Sequence, residues 1–144
     1  VVNAYRRAFN YLLQCRQKGI DYHCPEILKT ELEQTSHRKY TTGFYFGADD
    51  KECLESSQPV QQSEFVAVVK EPAKDGKVLV EMRNRFKIGD KLKILSPNDS
   101  FGKEIVIKSI TDISGKQIED ADKVQALLYI NCDYPLAPLD ILRR

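Results

Sequence analysis

Residues 81 to 93 are the best suited to contact another molecule. The segment carries a surplus of three positive charges, with one aromatic ring among them: its cations are Arg83, Arg85, Lys87, Lys91 and Lys93, its acids Glu81 and Asp90, and its ring Phe86. Cations neutralise phosphates and a ring can stack on a base, so Arg83, Arg85, Phe86 and Lys87 are predicted substrate-binding residues. Alternatively, the cations keep outward strand positions soluble and Phe86 turns inward as core. Both interpretations fit the sequence.

A second candidate is the segment from Ser36 to Gly47, in which Arg38, Lys39 and Tyr40 could extend the basic and aromatic surface. The two cations could equally tie the helical segment to another domain through charge-assisted hydrogen bonds. Three consecutive aromatic residues follow, Phe44, Tyr45 and Phe46. Successive side chains of an extended chain point to opposite sides, so we expect these rings to pack between two bodies as domain-interface residues. An ordinary buried linker is the alternative.

Catalytic chemistry has little support in the sequence. His23 and His37 are the only histidines, and neither stands in a metal-binding spacing. No phosphate-binding glycine motif occurs. We therefore predict no catalytic residue, no metal site and no cofactor in this chain. The four cysteines form no C-x-x-C pair, which is typical of free thiols in a reducing compartment and predicts a cytoplasmic protein: they are Cys15, Cys24, Cys53 and Cys132.

The overall charge counts against a dedicated nucleic-acid domain without excluding a local basic patch, and the hydropathy counts against a membrane segment. The 144 residues carry a formal net charge of +1, whereas a dedicated nucleic-acid domain is usually more basic. No apolar run approaches the roughly 20 residues that span a bilayer, so no membrane segment is expected.

The elements that must position these residues begin with helices. Tyr5, Phe9 and Leu12 recur at helical spacing in a first helix, which Gly19 should end. We expect Tyr5 and Phe9 to pack against another domain, the barrel of this chain or a neighbouring copy. Pro25 should open a second helix over residues 25–34, and the polar stretch 48–62 should be a surface loop.

Short β-strands follow. Phe65–Val69, the run after the Asp75-Gly76 turn, Lys91–Ile94, Glu104–Ile110, Val124–Ile130 and Leu139–Leu142 predict six strands. Because closure removes exposed edges, we predict a mainly β protein with N-terminal helices and a small, closed, six-stranded barrel. The predicted divisions are a helical segment at 1–36, a linker and loop at 37–62, and the barrel at 63–144.

Three blocks of sequence resemble the C-terminal region of peptidase family U32, the collagenase-like peptidases: Ser36–Gly47 (SHRKYTTGFYFG), Glu81–Asp90 (EMRNRFKIGD) and Pro138–Arg143 (PLDILR). The order of strands and turns also resembles the second-domain barrel of elongation factor Tu, a likeness of fold alone.

The family resemblance implies that the chain is part of a longer protein, an enzyme whose catalytic domain precedes it. That enzyme would be a peptidase or would take part in hydroxylation of tRNA or ribosomal RNA, and this fragment would be inactive. The chain would then be an accessory domain that positions RNA or polypeptide for catalysis. The alternative is a structural or oligomerisation domain without substrate contact, in which case a homo-oligomer is an option.

Overall fold

The computed structural model describes residues 1–37, 40, 45 and 63–144, which fall into two compact units, Val1–Ser63 and Glu64–Arg144. Within the described residues of the first unit the helices are α1 (Val2–Lys18) and α2 (Glu26–Glu33). The strands described in the second unit are β1 (Phe65–Val69), β2 (Lys77–Met82), β3 (Phe86–Lys87), β4 (Lys91–Leu95), β5 (Glu104–Val106), β6 (Ile110–Asp112), β7 (Gln117–Ile118), β8 (Asp120–Ala121), β9 (Leu127–Asn131) and β10 (Ile141–Arg143). The prediction of a mainly β protein with N-terminal helices is confirmed.

The helical unit follows its local signals closely. Gly19 ends α1 with φ 63°, and the amide of Ile20 donates to the Cys15 carbonyl at 2.9 Å. A glycine adopts this left-handed conformation without steric cost, which confirms its predicted role. α2 begins at Glu26, one residue later than predicted, with Pro25 as the residue before it. The two helices contact each other, and Ala4, Cys15 and Leu28 are buried.

The second unit is built on one antiparallel sheet of eight strands in the order β5-β4-β10-β1-β2-β9-β6-β7. Its predicted hairpin is confirmed: Asp75 and Gly76 have φ of 52° and 73°, and Lys74 and Lys77 exchange backbone hydrogen bonds. Positive φ at both central residues gives the turn the twist that the flanking strands need. The β2 side chains predicted to share a face, Val78, Val80 and Met82, are all buried in the core.

The prediction of a closed six-stranded barrel is wrong, because β5 and β7 are unpaired edges of an open half-barrel in the described part of the chain. The predicted single strand at 104–110 is instead two strands, β5 and β6, which lie far apart in the sheet order. Val106 and Ile110 are only four residues apart, so the chain between them spans at most about 14 Å. Because the strands that they belong to lie far apart in the sheet order, the sheet must curl to bring them within this distance. The likeness to elongation factor Tu stays a prediction.

The side chain of Asn131 explains why the strand breaks. Its Oδ1 accepts hydrogen bonds from the amides of Lys108 at 2.6 Å and Ser109 at 3.2 Å, and its Nδ2 donates to the Val106 carbonyl at 2.9 Å. These backbone groups are thereby satisfied by a side chain of β9 instead of by a strand ladder. The chain can turn there from one end of the sheet to the other.

Two other predicted strands begin later than expected. β9 begins at Leu127 instead of Val124, and β10 begins at Ile141 instead of Leu139. In each case a residue just before the strand has a left-handed backbone, Gln125 with φ 65° and Leu139 with φ 73°. This conformation is incompatible with a strand.

Candidate functional site

The predicted basic segment is largely neutralised by ion pairs within the second unit. Arg83 Nη2 lies 2.5 Å from Glu81 Oε1, and Lys70 Nζ lies 2.8 Å from Glu81 Oε2. The hydrogen bond from Lys70, helped by the charge of Arg83, lowers the pKa of Glu81 below its ordinary value. Arg83 is therefore part of a three-residue cluster on β2 and its neighbours.

Arg85 makes the most complete ion pair of this segment. Its Nε donates to Asp120 Oδ1 at 2.9 Å and its Nη2 to Asp120 Oδ2 at 2.5 Å. This two-pronged geometry raises the pKa of Arg85 and lowers that of Asp120, chiefly through the hydrogen bonds themselves. A phosphate would have to displace a well-oriented carboxylate to reach this guanidinium.

Phe86 and Lys87 lie on β3, which pairs with β8 in a separate two-stranded sheet. Phe86 is only 1% exposed and belongs to the hydrophobic core, which agrees with the alternative interpretation of this ring. Lys87 is exposed, and its ammonium makes no ion pair with the described residues. Of the four predicted contact residues, Lys87 is thus the one whose charge makes no ion pair with the described residues.

A polar cleft of about 340 Å³ brings part of this segment together with the C-terminal residue. Arg85, Lys87 and Arg144 line it with Asp90 and Asp120. Arg144 Nη1 donates to Asp90 Oδ2 at 3.1 Å, and its Nη2 pairs with Glu64, which raises the pKa of Arg144. Because both guanidinium groups are already paired with carboxylates, the cleft offers little uncompensated charge to an anion.

Two described residues of the second predicted segment, His37 and Tyr40, contact the last turn of α2. The Tyr40 hydroxyl donates to the Leu32 carbonyl at 3.1 Å, and its ring stacks on His37 at 4.2 Å between centroids. His37 Nε2 lies 3.1 Å from the Glu33 carbonyl. These contacts add donors to carbonyls in the last turn of the helix, where the Leu32 carbonyl also accepts from the Thr35 hydroxyl at 2.8 Å. Tyr45 is 86% exposed, and Arg38, Lys39, Phe44 and Phe46 lie outside the described residues.

The predicted interface residues of α1 are open to solvent in the chain. Tyr5 is 65% exposed and Phe9 is 56% exposed. Their packing against another domain stays a prediction.

Sequence reasoning missed an apolar groove of about 600 Å³ in the second unit. One wall is the β6–β7 hairpin, with Ile113 and Ile118, and the other contains Ala126 and Leu127. Ile113 is 71% exposed and Leu127 is 37% exposed, while Val124, beside the lining residue Lys123, is 66% exposed. The sequence feature that could have indicated this groove is the presence of large apolar residues in turns, such as Ile113 and Val124.

Both walls of the groove are held by hydrogen bonds. Asp112 Oδ1 accepts from the amides of Ser114 at 2.8 Å and Lys116 at 2.9 Å, and from the Ser114 hydroxyl, which lowers the pKa of Asp112. Opposite, the amide of Gln125 donates to the Met82 carbonyl at 2.8 Å. These hydrogen bonds connect the turns that form both walls. The accessible surface of the groove is mainly apolar, which suits apolar side chains, and charged residues also line it: Asp112, Lys116, Asp120, Asp122 and Lys123.

Within residues 1–37, 40, 45 and 63–144, no group of three or more His, Cys, Asp or Glu side chains could hold a metal ion. No described helix is both long enough and apolar enough to cross a membrane.

Two solved structures match part of the chain in fold. The chain is similar to the C-terminal domain of a Geobacillus thermoleovorans protein assigned to the U32 peptidases, with 25% identity and a TM-score of 0.52, over 55% of this chain and 89% of that one. The selenomethionine variant of that domain matches at 24% identity and a TM-score of 0.53, over 56% of this chain and 99% of that one. No curated protein matches the chain in sequence.

The family model described as the peptidase family U32 C-terminal domain matches residues 61–143, more than half of the chain. The matched region coincides with the sheet unit and contains two of the three blocks on which the resemblance was based, Glu81–Asp90 and Pro138–Arg143. The chain belongs to peptidase family U32 and carries that family's C-terminal domain.

Proposed function

We propose that the sheet unit is an accessory domain that positions a polypeptide substrate for a catalytic domain of the same protein. The apolar groove between the β6–β7 hairpin and Leu127 carries this proposal. An apolar cleft with exposed aliphatic walls favours the side chains of a polypeptide over a nucleic-acid backbone, which is bound mainly through its phosphates.

The charges of the basic segment support polypeptide over RNA. Arg83 and Arg85 are paired with Glu81 and Asp120, and Phe86 is buried, so three of the four residues predicted to contact phosphate and base are already used. Under this proposal the parent protein is a peptidase, and hydrolysis takes place in its catalytic domain.

Binding of an unfolded polypeptide tests the proposal. Fluorescently labelled, reduced and carboxymethylated α-lactalbumin and bulk tRNA would be titrated separately with the chain, at about 50 and 200 mM salt, a range over which phosphate-dominated affinity falls steeply. We expect micromolar anisotropy binding of the polypeptide that changes little with salt.

Two double variants with matched exposure provide the comparison. Ile113→Ser with Leu127→Ser removes apolar surface from the groove walls at residues that are 71% and 37% exposed. Leu139→Ser with Val106→Ser does the same outside the groove, at residues that are 79% and 40% exposed. The first pair should weaken polypeptide binding by about tenfold or more and the second by less than about twofold. Equal effects of the two pairs would contradict a groove site.

RNA positioning is the alternative substrate class. Salt-sensitive binding of tRNA that disappears in the Arg83→Glu/Arg85→Glu variant would replace the polypeptide proposal with RNA positioning for an RNA-hydroxylating parent. No binding of either probe would favour a structural or oligomerisation role. The internal pairing of Arg85 with Asp120 favours that structural role over RNA contact, because it connects the residue that precedes β3 to the neighbouring strand β8.

A cytoplasmic location completes the proposal. Cys15, Cys24 and Cys132 are free thiols in the described part of the chain, and burial raises the pKa of Cys132. Persistent free thiols fit a reducing compartment. Alkylation of cells with a membrane-permeant reagent before lysis, followed by mass spectrometry, should find these thiols reduced; their recovery as disulfides would contradict the location.

A further inference from the structure

The backbone of Gln117 lies at an open edge of the sheet, beside the apolar groove. β7 is the last strand in the sheet order, and Gln117 also lines the groove. One residue earlier, the Lys116 carbonyl accepts a hydrogen bond from the Asp112 amide at 2.9 Å, across the hairpin to β6. Because residues of an antiparallel pair alternate between bonded and non-bonded positions, the N–H and C=O of Gln117 point away from β6.

The position of β3 independently supports this assignment. The amide of Ile88, directly after β3, donates to the Glu119 carbonyl at 3.0 Å, which extends the ladder of β3 and β8. Residues two apart in a strand bond to the same side, so β3 covers at Glu119 the edge that is open at Gln117. Gly89 then turns the chain away with φ 96°, and its amide donates to the Ile107 carbonyl at 2.8 Å. Within residues 63–144, the structure gives the Gln117 N–H and C=O no hydrogen-bond partner.

We propose that the polypeptide in the groove binds as an added β-strand whose backbone forms hydrogen bonds with the N–H and C=O of Gln117. This inference rests on the proposed function and specifies its substrate class: an extended, unfolded segment in which the residue facing Gln117 is not proline, because proline has no N–H. Strand addition obtains affinity from main-chain hydrogen bonds and selectivity from alternate side chains. Ile118 lines the groove next to this edge, so every second side chain of the added strand would face the apolar walls.

The chemistry of the edge favours this occupant over others. A nucleic acid is bound mainly through its phosphates and has no repeating pair of N–H and C=O groups along its backbone. An α-helix uses its backbone groups internally. A second folded copy would offer only the two residues of its own β7, and so short an edge strand disfavours pairing between folded proteins. An unfolded segment has no such limit, because any part of it can become extended.

Substitutions at Gln117 separate its backbone contact from its side chain. Gln117→Pro removes the outward N–H and leaves the pairing of β6 with β7 in place, because proline is tolerated where the N–H of an edge strand faces solvent. Gln117→Ala removes the side chain and keeps the N–H. With labelled, reduced and carboxymethylated α-lactalbumin as the probe, Gln117→Pro should weaken binding by at least about fivefold and Gln117→Ala by less than about twofold.

Amide hydrogen exchange followed by NMR tests the same contact in the unaltered chain. Saturating α-lactalbumin, again reduced and carboxymethylated, should slow exchange of the Gln117 amide by at least about tenfold. The control is the amide of Glu104 on β5, at the other edge of the sheet and outside the groove, which should exchange at an unchanged rate.

Unchanged exchange at Gln117, or wild-type binding by Gln117→Pro, would overturn strand addition. Equal weakening by Gln117→Pro and Gln117→Ala would also overturn it, because the side chain would then make the contact. If the Ile113→Ser/Leu127→Ser pair still weakens binding in these cases, the groove site of the proposed function stands without strand addition. Slower exchange at Gln117 that rises with chain concentration, in the absence of polypeptide, would replace the occupant with a second copy. No binding of the probe to the wild-type chain would overturn both proposals.

Discussion

Arg85 and Asp120 join the two strands of the small sheet through a two-pronged ion pair, although they are 35 residues apart in the chain. Asp120 belongs to β8 and Arg85 directly precedes β3, and these strands pair through Phe86 and Ala121. The same pair occupies the guanidinium of Arg85, one of the four predicted contact residues. Arg85, which the local charge suggested as a ligand contact, instead connects two parts of the fold.

The pH dependence of this pair is a direct test. The folded-state pKa of Asp120 is lowered by Arg85, so its contribution to stability is present above the ordinary aspartate pKa of about 4 and is lost as the pH falls through the lowered value. Arg85→Gln should raise the Asp120 pKa toward its ordinary value, as measured by NMR titration of the side-chain carboxyl. Arg83→Gln is the control: Lys70 supplies the largest lowering of the Glu81 pKa, so that pKa should stay low. An unchanged Asp120 pKa in Arg85→Gln would contradict the pairing.

Phe86 should behave as a core residue. Because its side chain is 1% exposed, Phe86→Ala should lower the free energy of unfolding by about 3–5 kcal/mol, measured by urea denaturation followed by circular dichroism. The exposed neighbour gives the comparison: Lys87→Ala should change it by less than about 0.5 kcal/mol. Normal stability of Phe86→Ala together with a loss of RNA binding would restore the base-stacking hypothesis.

The side chain of Asn131 should contribute more to the free energy of unfolding than a single hydrogen bond does. Asn131→Ala leaves the amides of Lys108 and Ser109 and the Val106 carbonyl without this partner, so we expect a loss of about 2 kcal/mol in the free energy of unfolding. Asn84→Ala removes one side-chain hydrogen bond to the Phe65 carbonyl and should cost about 1 kcal/mol. If the two variants are equally stable, Asn131 does not hold the crossing between β5 and β6.

Leu139 offers a stabilising substitution. It is 79% exposed and has φ 73°, a conformation that costs a residue with a Cβ about 1–2 kcal/mol. Asparagine tolerates this region better, so Leu139→Asn should raise the thermal midpoint. At the same position Leu139→Ile should lower it, because a β-branched side chain is least compatible with positive φ. Shifts of the same sign would indicate that the backbone is not strained there.

Tyr40 should stabilise the end of α2. Tyr40→Phe removes the hydrogen bond to the Leu32 carbonyl and keeps the ring that stacks on His37. We expect faster amide hydrogen exchange in the last turn of α2, by about three- to tenfold, which corresponds to roughly 0.5–1.5 kcal/mol. Tyr5→Phe, at an exposed position of α1, should leave exchange in α2 unchanged. Unaltered exchange in Tyr40→Phe would show that this residue does not close the helix.

The sequence by itself determined the elements whose cause lies within a few residues. Gly19 ends α1, Asp75-Gly76 makes the hairpin, and the alternation in β2 selects the buried face, because each depends on local backbone conformation or on side-chain period. The three sequence blocks also indicated the family that the comparison of residues 61–143 shows.

Only the tertiary structure decided which distant groups meet. Asn131 interrupts a strand that alternation alone would continue from Glu104 to Ile110, Asp120 neutralises Arg85, and the β6–β7 hairpin stands opposite Leu127 to form the groove. Each outcome depends on partners in other elements of the chain. Strand periodicity specifies which side of a strand faces the core but not which strand lies beside it. The site expected from local charge was therefore largely neutralised, and the groove emerged only from the packing of separate strands.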